Sequence, residues 1–445
     1  MIWRRIWEGI SAYSGVTLVT TISNLLQAIL TLRLLDLDEY GRITLLLSFF
    51  ATARIFADLG AKSIITSEIA QAHGANDKAR VKGLLRIYSR FVFFSLLGAA
   101  LTFVVIGFIR NEITFFILAA YAILFGINDG LQTVLLSHTE YRRSAGQQIV
   151  RSVGRLLLLA ILFFIAPPSI FILVLLTHPA KELFTLVFSL RWCRPILSQY
   201  QSIKASSVDF WLLFKEQGVF TILTYPIRRV IGELPVWLLS GMIGETVVGI
   251  YGAAQKAFAL IHALFRNIET VLTPMLPNQL SQNPERVKIA IGQSQKYTFW
   301  LSIVTLIFCL PTAPFIISIL GGEEYLGVIR PFQWLLFSLL FTPFIQSDRP
   351  VLYALRQQKW LFVIRLAKLI TFAPTLVFFI SQNGALGAIQ ALLLDGTLHL
   401  FVRSAILYRV APHLWVSPLS IFQIDQFDLQ LWARVRRFQF GELFK

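Results

Sequence analysis

The chain is 445 residues long, 56% hydrophobic and only 14% charged, with a mean hydropathy of +0.67, whereas soluble domains carry ~25% charged residues. Water is excluded as its main solvent, and with it the soluble enzymes. The net charge of +16 suggests nucleic acid only until its distribution is read, because the basic residues sit in short links between apolar runs of roughly 20 residues, the length that crosses a ~30 Å hydrocarbon core.

In chain order these runs predict helices at 11–32, 43–66, 91–109, 113–137, 149–166, 169–190, 218–240, 247–271, 298–320, 331–354, 361–380 and 385–408. Arg4 and Arg5 precede the first run, but Ser23, Asn24 and Gln27 interrupt it and no small-residue cleavage site follows, so it reads as a retained helix. Pro167-Pro168, Pro277 and Pro284 fall between runs, where a missing amide donor costs little. Cys193 and Cys309 are the only cysteines and lie in or beside apolar runs, which leaves neither a disulfide framework nor a thiolate metal site.

Charge assigns the two ends of these helices. Lys78, Arg80, Lys82, Arg86 and Arg90 follow the second run, Arg142, Arg143 and Arg151 the fourth, and Arg191, Arg194, Lys204 and Lys215 the sixth. Arg286, Lys288 and Lys296, then Arg356, Lys359 and Arg365, continue the alternation in the second half. The opposite links hold Asp36, Asp38, Glu39, Glu112, Glu245, Glu323 and Glu324 with few bases. Basic links face the cytoplasm, so both termini are expected there and the number of crossings is even. The charge of +16 is then attraction to anionic lipids of the inner leaflet rather than a nucleic-acid surface. Residues 419–445 alternate Phe422, Leu429, Trp432, Val435 and Phe438 with Arg434, Arg436 and Arg437, which suits an interfacial helix on that leaflet.

The longest basic link divides the helices six and six, giving an expected six-helix lobe over 1–195, a linker over 196–217, a second lobe over 218–410 and a basic tail over 411–445. The second and eighth helices open alike, with Asp38-Glu39-Tyr40-Gly41 before one and Glu245 through Gly249-Ile250-Tyr251-Gly252 at the other, as parallel repeats would.

Leu34-Leu35-Asp36-Leu37-Asp38-Glu39-Tyr40-Gly41, followed by Phe56-Ala57-Asp58-Leu59-Gly60-Ala61, resembles the first helix pair of the oligosaccharide flippase (O-antigen translocase) family. Gly249-Ile250-Tyr251-Gly252-Ala253-Ala254-Gln255-Lys256 with Thr273-Pro274-Met275-Leu276-Pro277 resembles its eighth helix and exit, and Gly321-Gly322-Glu323-Glu324-Tyr325 with Leu352-Tyr353-Ala354-Leu355-Arg356-Gln357-Gln358 its ninth-to-tenth link and the end of the tenth helix. The resemblance implies an all-α membrane protein of about twelve spans in two lobes forming a V around a central cavity. It also implies the cargo, a polyprenyl-diphosphate-linked oligosaccharide turned from the cytoplasmic to the outer face of a bacterial inner membrane, with polysaccharide assembly proteins as possible partners. The lipid II flippases are similar but usually carry two further helices.

Ionisable groups inside the hydrocarbon cost about 2.5–3.5 kcal/mol each and normally face a cavity or a partner. Arg228, Arg229 and Glu233 fall near the middle of the seventh helix, flanked by Pro226 and Pro235. Arg54, Asp58 and Lys62 repeat at i, i+4 and i+8 on the second helix, Lys256 and Arg266 lie on the eighth, and Asp395, His399 and Arg403 form a similar stripe on the twelfth. One reading makes Arg54, Arg228, Arg229, Lys256 and Arg266 a cationic cavity for a diphosphate, because guanidinium forks bind phosphate oxygens bidentately. The other makes Arg54 with Asp58 and Arg229 with Glu233 salt bridges that staple helices. Asp58, Glu233 and Asp395 are the carboxylates that would serve H+ or Na+ coupling. Lys181-Glu182, adjacent in sequence, point apart and read as structural. No HExxH, Walker or dinucleotide motif occurs, and no cofactor is expected. The rivals are a cation exporter of the same superfamily, which needs an acidic cavity, and a membrane glycan polymerase or ligase, which needs larger outer loops.

Overall fold

The computed structural model describes residues 2–58, 61–165, 170–208, 219–263, 265, 284–345, 351–352, 355, 357–423 and 428–429. Twelve α-helices lie among them, and no strand occurs among the described residues. In the first part they are α1 (Ile2–Leu34), α2 (Leu37–Asp58), α3 (Ala61–Gly74), α4 (Lys78–Arg110), α5 (Ile113–Ser137), α6 (Tyr141–Ile165) and α7 (Ile170–Ser198). The second part holds α8 (Val219–Met242), α9 (Glu245–His262), α10 (Pro284–Gly321), α11 (Ile329–Leu336) between two 3-10 segments, and α12 (Gln358–Val410).

Hydropathy located the apolar middles of these helices, matched α5 at both ends (113–137) and missed several starts. The predicted helix at 91–109 begins at Lys78, where Asp77 caps it by accepting from the Arg80 amide at 2.9 Å, and the one at 149–166 begins at Tyr141. Both run past the hydrocarbon on basic first turns that hydropathy reads as loop. The predicted helix at 43–66 is α2 and α3, and the Asp38-Glu39-Tyr40-Gly41 motif belongs to the first turns of α2 rather than preceding it. The runs at 361–380 and 385–408 are the two arms of α12, which breaks at Gly384 (φ 55°, ψ −128°). Gly387 lets the arms close, since a Cβ there would stand 1.9 Å from the Phe379 carbonyl oxygen.

Eight helical segments are long and apolar enough to cross a membrane by length and composition. The last, 52 residues long, supplies two crossings through its bend at Gly384. Helices α2, α8 and α9 bring the total to about twelve and are left out of the eight because charged or weakly apolar residues interrupt them. The protein is an all-α, multi-pass membrane protein.

The chain divides into two compact units. One comprises Met1–Ile261, Leu310–Leu336 and Gln358–Asp395. Within it α5 is central, packed on α4, α7, α3 and α2, while α1 lies on α6 and α6 on α7. A core of Ile65, Leu84, Leu135 and Cys193 joins α3, α4, α5 and α7, so Cys193 is a buried packing residue. A second core of Ile231, Leu239, Tyr251, Leu376 and Ile389 joins α8, α9 and α12.

Helix α2 meets α8 and α9 along a close seam at the end that charge assigns to the outside. A Cβ on Gly41 would stand 1.8 Å from the Glu245 carbonyl oxygen, and one on Gly249 1.9 Å from that of Leu37. The two motifs that open alike in the sequence therefore pack on each other, glycine against backbone. Thr246 donates to Asp38 (2.9 Å), Trp237 to Ser48 (3.0 Å) and the Tyr325 hydroxyl to the Leu35 carbonyl (2.8 Å).

The second unit comprises His262–Cys309, Phe337–Gln357 and Gly396–Lys445. Its buried ion pair joins Lys296 of α10 to Asp428 of the tail, with Tyr297 donating to the same carboxylate at 2.6 Å. The expected interfacial helix falls mostly outside the described residues. What is described is a 3-10 turn, Pro418–Phe422, whose Ile421 carbonyl accepts from Trp300.

Candidate functional site

The first unit gathers charge where α2, α5, α6, α7 and α9 approach. On α5 a polar face of Asn128, Asp129 and Gln132 lies one turn from Phe125 and Tyr121. Asp129 pairs with Lys62 of α3 at 2.7 Å and with Arg54 of α2 at 3.8 Å, and Lys62 also donates to Gln132 at 3.2 Å. The Arg54 guanidinium lies 4.3 Å over the Phe125 ring, and that of Arg151 5.0 Å over the same ring.

Arg151 and Arg155 stand one turn apart on α6, which starts at Tyr141, so they are about 15 and 21 Å along the helix. Arg151, grouped with the link bases although the predicted helix already begins at 149, lies well inside this longer helix. Arg151 pairs with Glu182 at 3.1 Å, whose side chain is 0% exposed. Asn128 donates to both the carbonyl and the carboxylate of Glu182, at 2.7 and 2.9 Å, and Gln147 ties Asn128 to Ser189. This network staples α5, α6 and α7. Arg155 donates to Gln27 (3.2 Å) and Thr177 (3.4 Å), and Gln27 in turn donates to Ser23 and to the Ser152 carbonyl. The polar residues that interrupt the first apolar run are thus what holds Arg155.

Lys181 turns away from its neighbour Glu182, as adjacent residues on a helix do, and its ammonium lies 5.6 Å over Tyr121. Tyr121 stacks on Phe50 at 4.0 Å and lies within electrostatic reach of Arg54, Arg151, Arg155 and Glu182. Lys256 of α9 lies within the same reach of Arg155 and Lys181. Among the described residues Lys256 forms no ion pair. Arg54, Arg151, Arg155 and Lys181 thus gather around Tyr121 with Lys256 in reach of two of them, and the described carboxylates paired with these five bases are Asp129 and Glu182. The assembly is strongly net positive.

The structure therefore brings together Arg54 and Lys256 of the expected cavity, and adds Lys62, Arg151, Arg155 and Lys181. Arg229 and Glu233 form the expected i, i+4 pair at 2.7 Å on α8, and Arg228 is exposed. Asp395 is buried on the second arm of α12 and pairs with Lys368 on the first. Asp58 ends α2, with its side chain outside the described residues, and Arg266 lies outside them altogether. Among the described residues no group of His, Cys, Asp and Glu is placed to hold a metal ion.

The fold is that of membrane transporters of the MOP superfamily. An inward-facing multidrug resistance MATE family transporter of that superfamily matches with a TM-score of 0.74 at 15% identity, over 88% of this chain and 95% of the other. The lipid II flippase MurJ in an inward closed conformation matches with 0.67 at 12% identity, over 89% and 87%, and an outward-facing MATE family transporter with 0.61 at 15%, over 92% and 97%. No curated protein sequence is significantly similar to the chain. Residues 6–280 match the model of a family described as polysaccharide biosynthesis protein, and the chain belongs to that family. Family and fold agree with the reading of a transporter rather than an enzyme.

Proposed function

We propose that the protein is a flippase that carries a polyprenyl-diphosphate-linked oligosaccharide from the cytoplasmic to the outer face of a bacterial inner membrane, for cell-surface polysaccharides such as O-antigen. The observation that carries this reading is the cation group around Tyr121, with five bases and two described carboxylates. An excess of positive charge within the apolar span of the helices needs anions, and a diphosphate supplies about two negative charges in a form that guanidinium forks bind. A cation exporter would need the opposite sign, and that alternative is disfavoured by the same group. Membership in a polysaccharide biosynthesis family supplies the glycan.

In this reading Arg54, Arg155, Lys181 and Lys256 hold the diphosphate, with Arg228, Arg229 and Arg266 as further contacts, in two six-helix lobes over 1–195 and 218–410 joined by 196–217. An interior-negative potential favours outward movement of such a cargo by roughly 2.3 kcal/mol per charge per 100 mV. Asp58, Glu233 and Asp395 are the carboxylates available for H+ or Na+ coupling, the basic tail at 411–445 rests on anionic lipids, and polysaccharide assembly proteins receive the cargo.

The test is translocation of a polyprenyl-diphosphate oligosaccharide in liposomes, comparing the native protein with Arg155→Ala/Lys181→Ala and with Arg228→Ala/Arg229→Ala. Transport by the native protein that either pair abolishes, with the variant still inserted and folded, supports the reading and locates the anion site. Efflux of organic cations with no glycolipid movement refutes it.

A further inference from the structure

The outer half of the first unit holds a cavity of about 820 Å³ between α2, α4, α5 and α8, separate from the cation group. Its lining is ordered by depth. Arg42, Arg110, Glu112 and Glu245 stand at the outer rim. Below them come Leu45, Phe49, Phe103, Ile106 and Phe115, and the cavity ends at Ala53. From Arg42 to Ala53 is eleven residues of α2, about 16 Å of helix, or roughly half of a ~30 Å hydrocarbon core. The cavity is as deep as one leaflet, charged where headgroups lie and apolar where chains lie.

Ala53 also lines a smaller cleft of about 50 Å³ between α2, α4 and α5, whose other residues include Arg54, Phe125 and Asp129. The two cavities thus share one small lining residue, Ala53, which precedes Arg54 of the cation group in α2. The Arg42 guanidinium pairs with Glu112 at 3.3 Å, with both side chains more than a third exposed, and exchanging such a pair for a phosphate costs little. Glu112 and Glu245 then face whatever is attached to that phosphate, and carboxylates are natural acceptors for sugar hydroxyls.

From this we infer that the cavity is the outer-leaflet site of the lipid-linked glycan after translocation: phosphates on Arg42 and Arg110, first sugar on Glu112 and Glu245, isoprenoid chain running down past Phe49 and Phe103 to Ala53. The inference rests on the flippase reading above. The inner end of the cavity at Ala53, the residue next to Arg54 of the cation group, distinguishes this cargo from a bulk phospholipid, which has no reason to lie beside that group.

The experiment uses the full chain in nanodiscs with a photoreactive residue, Phe103→p-benzoylphenylalanine for the outer cavity or Tyr121→p-benzoylphenylalanine for the cation group, and a radiolabelled polyprenyl-diphosphate disaccharide as probe. Both positions are expected to capture the probe. Arg42→Gln/Arg110→Gln should lower capture at Phe103 about tenfold by removing both charge-assisted contacts, while capture at Tyr121 stays. Ala53→Trp, which fills the inner end of the cavity, should have the same selective effect. Capture at Tyr121 but not at Phe103 overturns the outer site and leaves the flippase reading standing. Capture at Phe103 that excess unlabelled phosphatidylethanolamine displaces as well as unlabelled probe does assigns the cavity to bulk lipid and also overturns it. Capture at neither position removes the flippase reading, and the outer site with it.

Discussion

Arg151 and Arg155 are one turn apart on α6 and have opposite circumstances. Arg151 is matched by a carboxylate that is wholly buried, so Glu182→Gln would leave a guanidinium in a low-dielectric interior, at a cost of about 3–5 kcal/mol. Thermal unfolding in detergent should show that loss, whatever happens to transport. Arg155 is held by the neutral oxygens of Gln27 and Thr177 and keeps its whole charge for a ligand. Arg155→Lys is therefore expected to retain measurable glycolipid transport and Arg155→Ala to lose about tenfold or more, while both unfold near the native temperature. An equal loss in the two variants would count against charge as the working property.

The residue scale is also where sequence reading did least well. Arg54 and Lys256 were legible because a lone base in an apolar run is conspicuous, and the Arg229–Glu233 pair because i, i+4 spacing implies contact. Arg155 and Lys181 were hidden. The first lies in an apolar run whose start was misplaced by eight residues, and the second reads, with its neighbour Glu182, as structural. The partner of Arg54 that the structure describes is Asp129, on a helix about 70 positions later, and no local spacing announces it.

At the scale of elements the informative feature is the seam of α2 on α9. Side chains are absent at Gly41 and Gly249 because carbonyl oxygens of the opposite helix occupy the place of a Cβ. Gly249→Leu must part the seam, and a thiol placed at Thr246, which donates to Asp38 in the closed seam, should then react faster with a membrane-impermeant maleimide applied from outside. An unchanged labelling rate would show that the seam closes by another route. The likeness of the two motifs was legible in the sequence. Their direct contact was not, because helical periodicity does not specify partners some 200 residues apart. The bend of α12 was read correctly as two runs, since Gly384 interrupts the apolar pattern that hydropathy follows.

At the scale of the molecule, a band of interactions ties the cytoplasmic ends of the first unit together. His138, just past α5, donates from Nδ1 to the Val134 carbonyl (2.8 Å), and in the neutral ring its Nε2 accepts from the Tyr200 hydroxyl (2.8 Å), its ring 4.7 Å from that of His73. Lys82 donates to the Gln201 carbonyl at 2.8 Å, which straps the segment after α7 onto α4. Burial, and then the neighbouring His73, hold the His138 imidazole below its ordinary 6.5 despite the carbonyl of Val134. A histidine whose folded value is depressed favours its neutral form, so its contribution is complete above pH 6.5 and is lost as the pH falls through the folded value. The native protein should therefore lose thermal stability between pH 7.5 and 5.5 by more than His138→Gln does. Parallel slopes for the two proteins would remove His138 from the account.

Charge spread along α2 also bears on how the chain is made. Asp38, Glu39, Arg42, Arg54 and Asp58 all lie on this one helix, and its outer partners α8 and α9 emerge from the ribosome only after some 160 further residues. Insertion cannot wait for them. The first described carboxylate to reach Arg54 is Asp129 on α5, so this charge of α2 is matched in the bilayer once α5 has entered it. Asp129→Asn should accordingly show itself early, as nascent chains in which α2 fails to stay in the bilayer, before any question of transport arises.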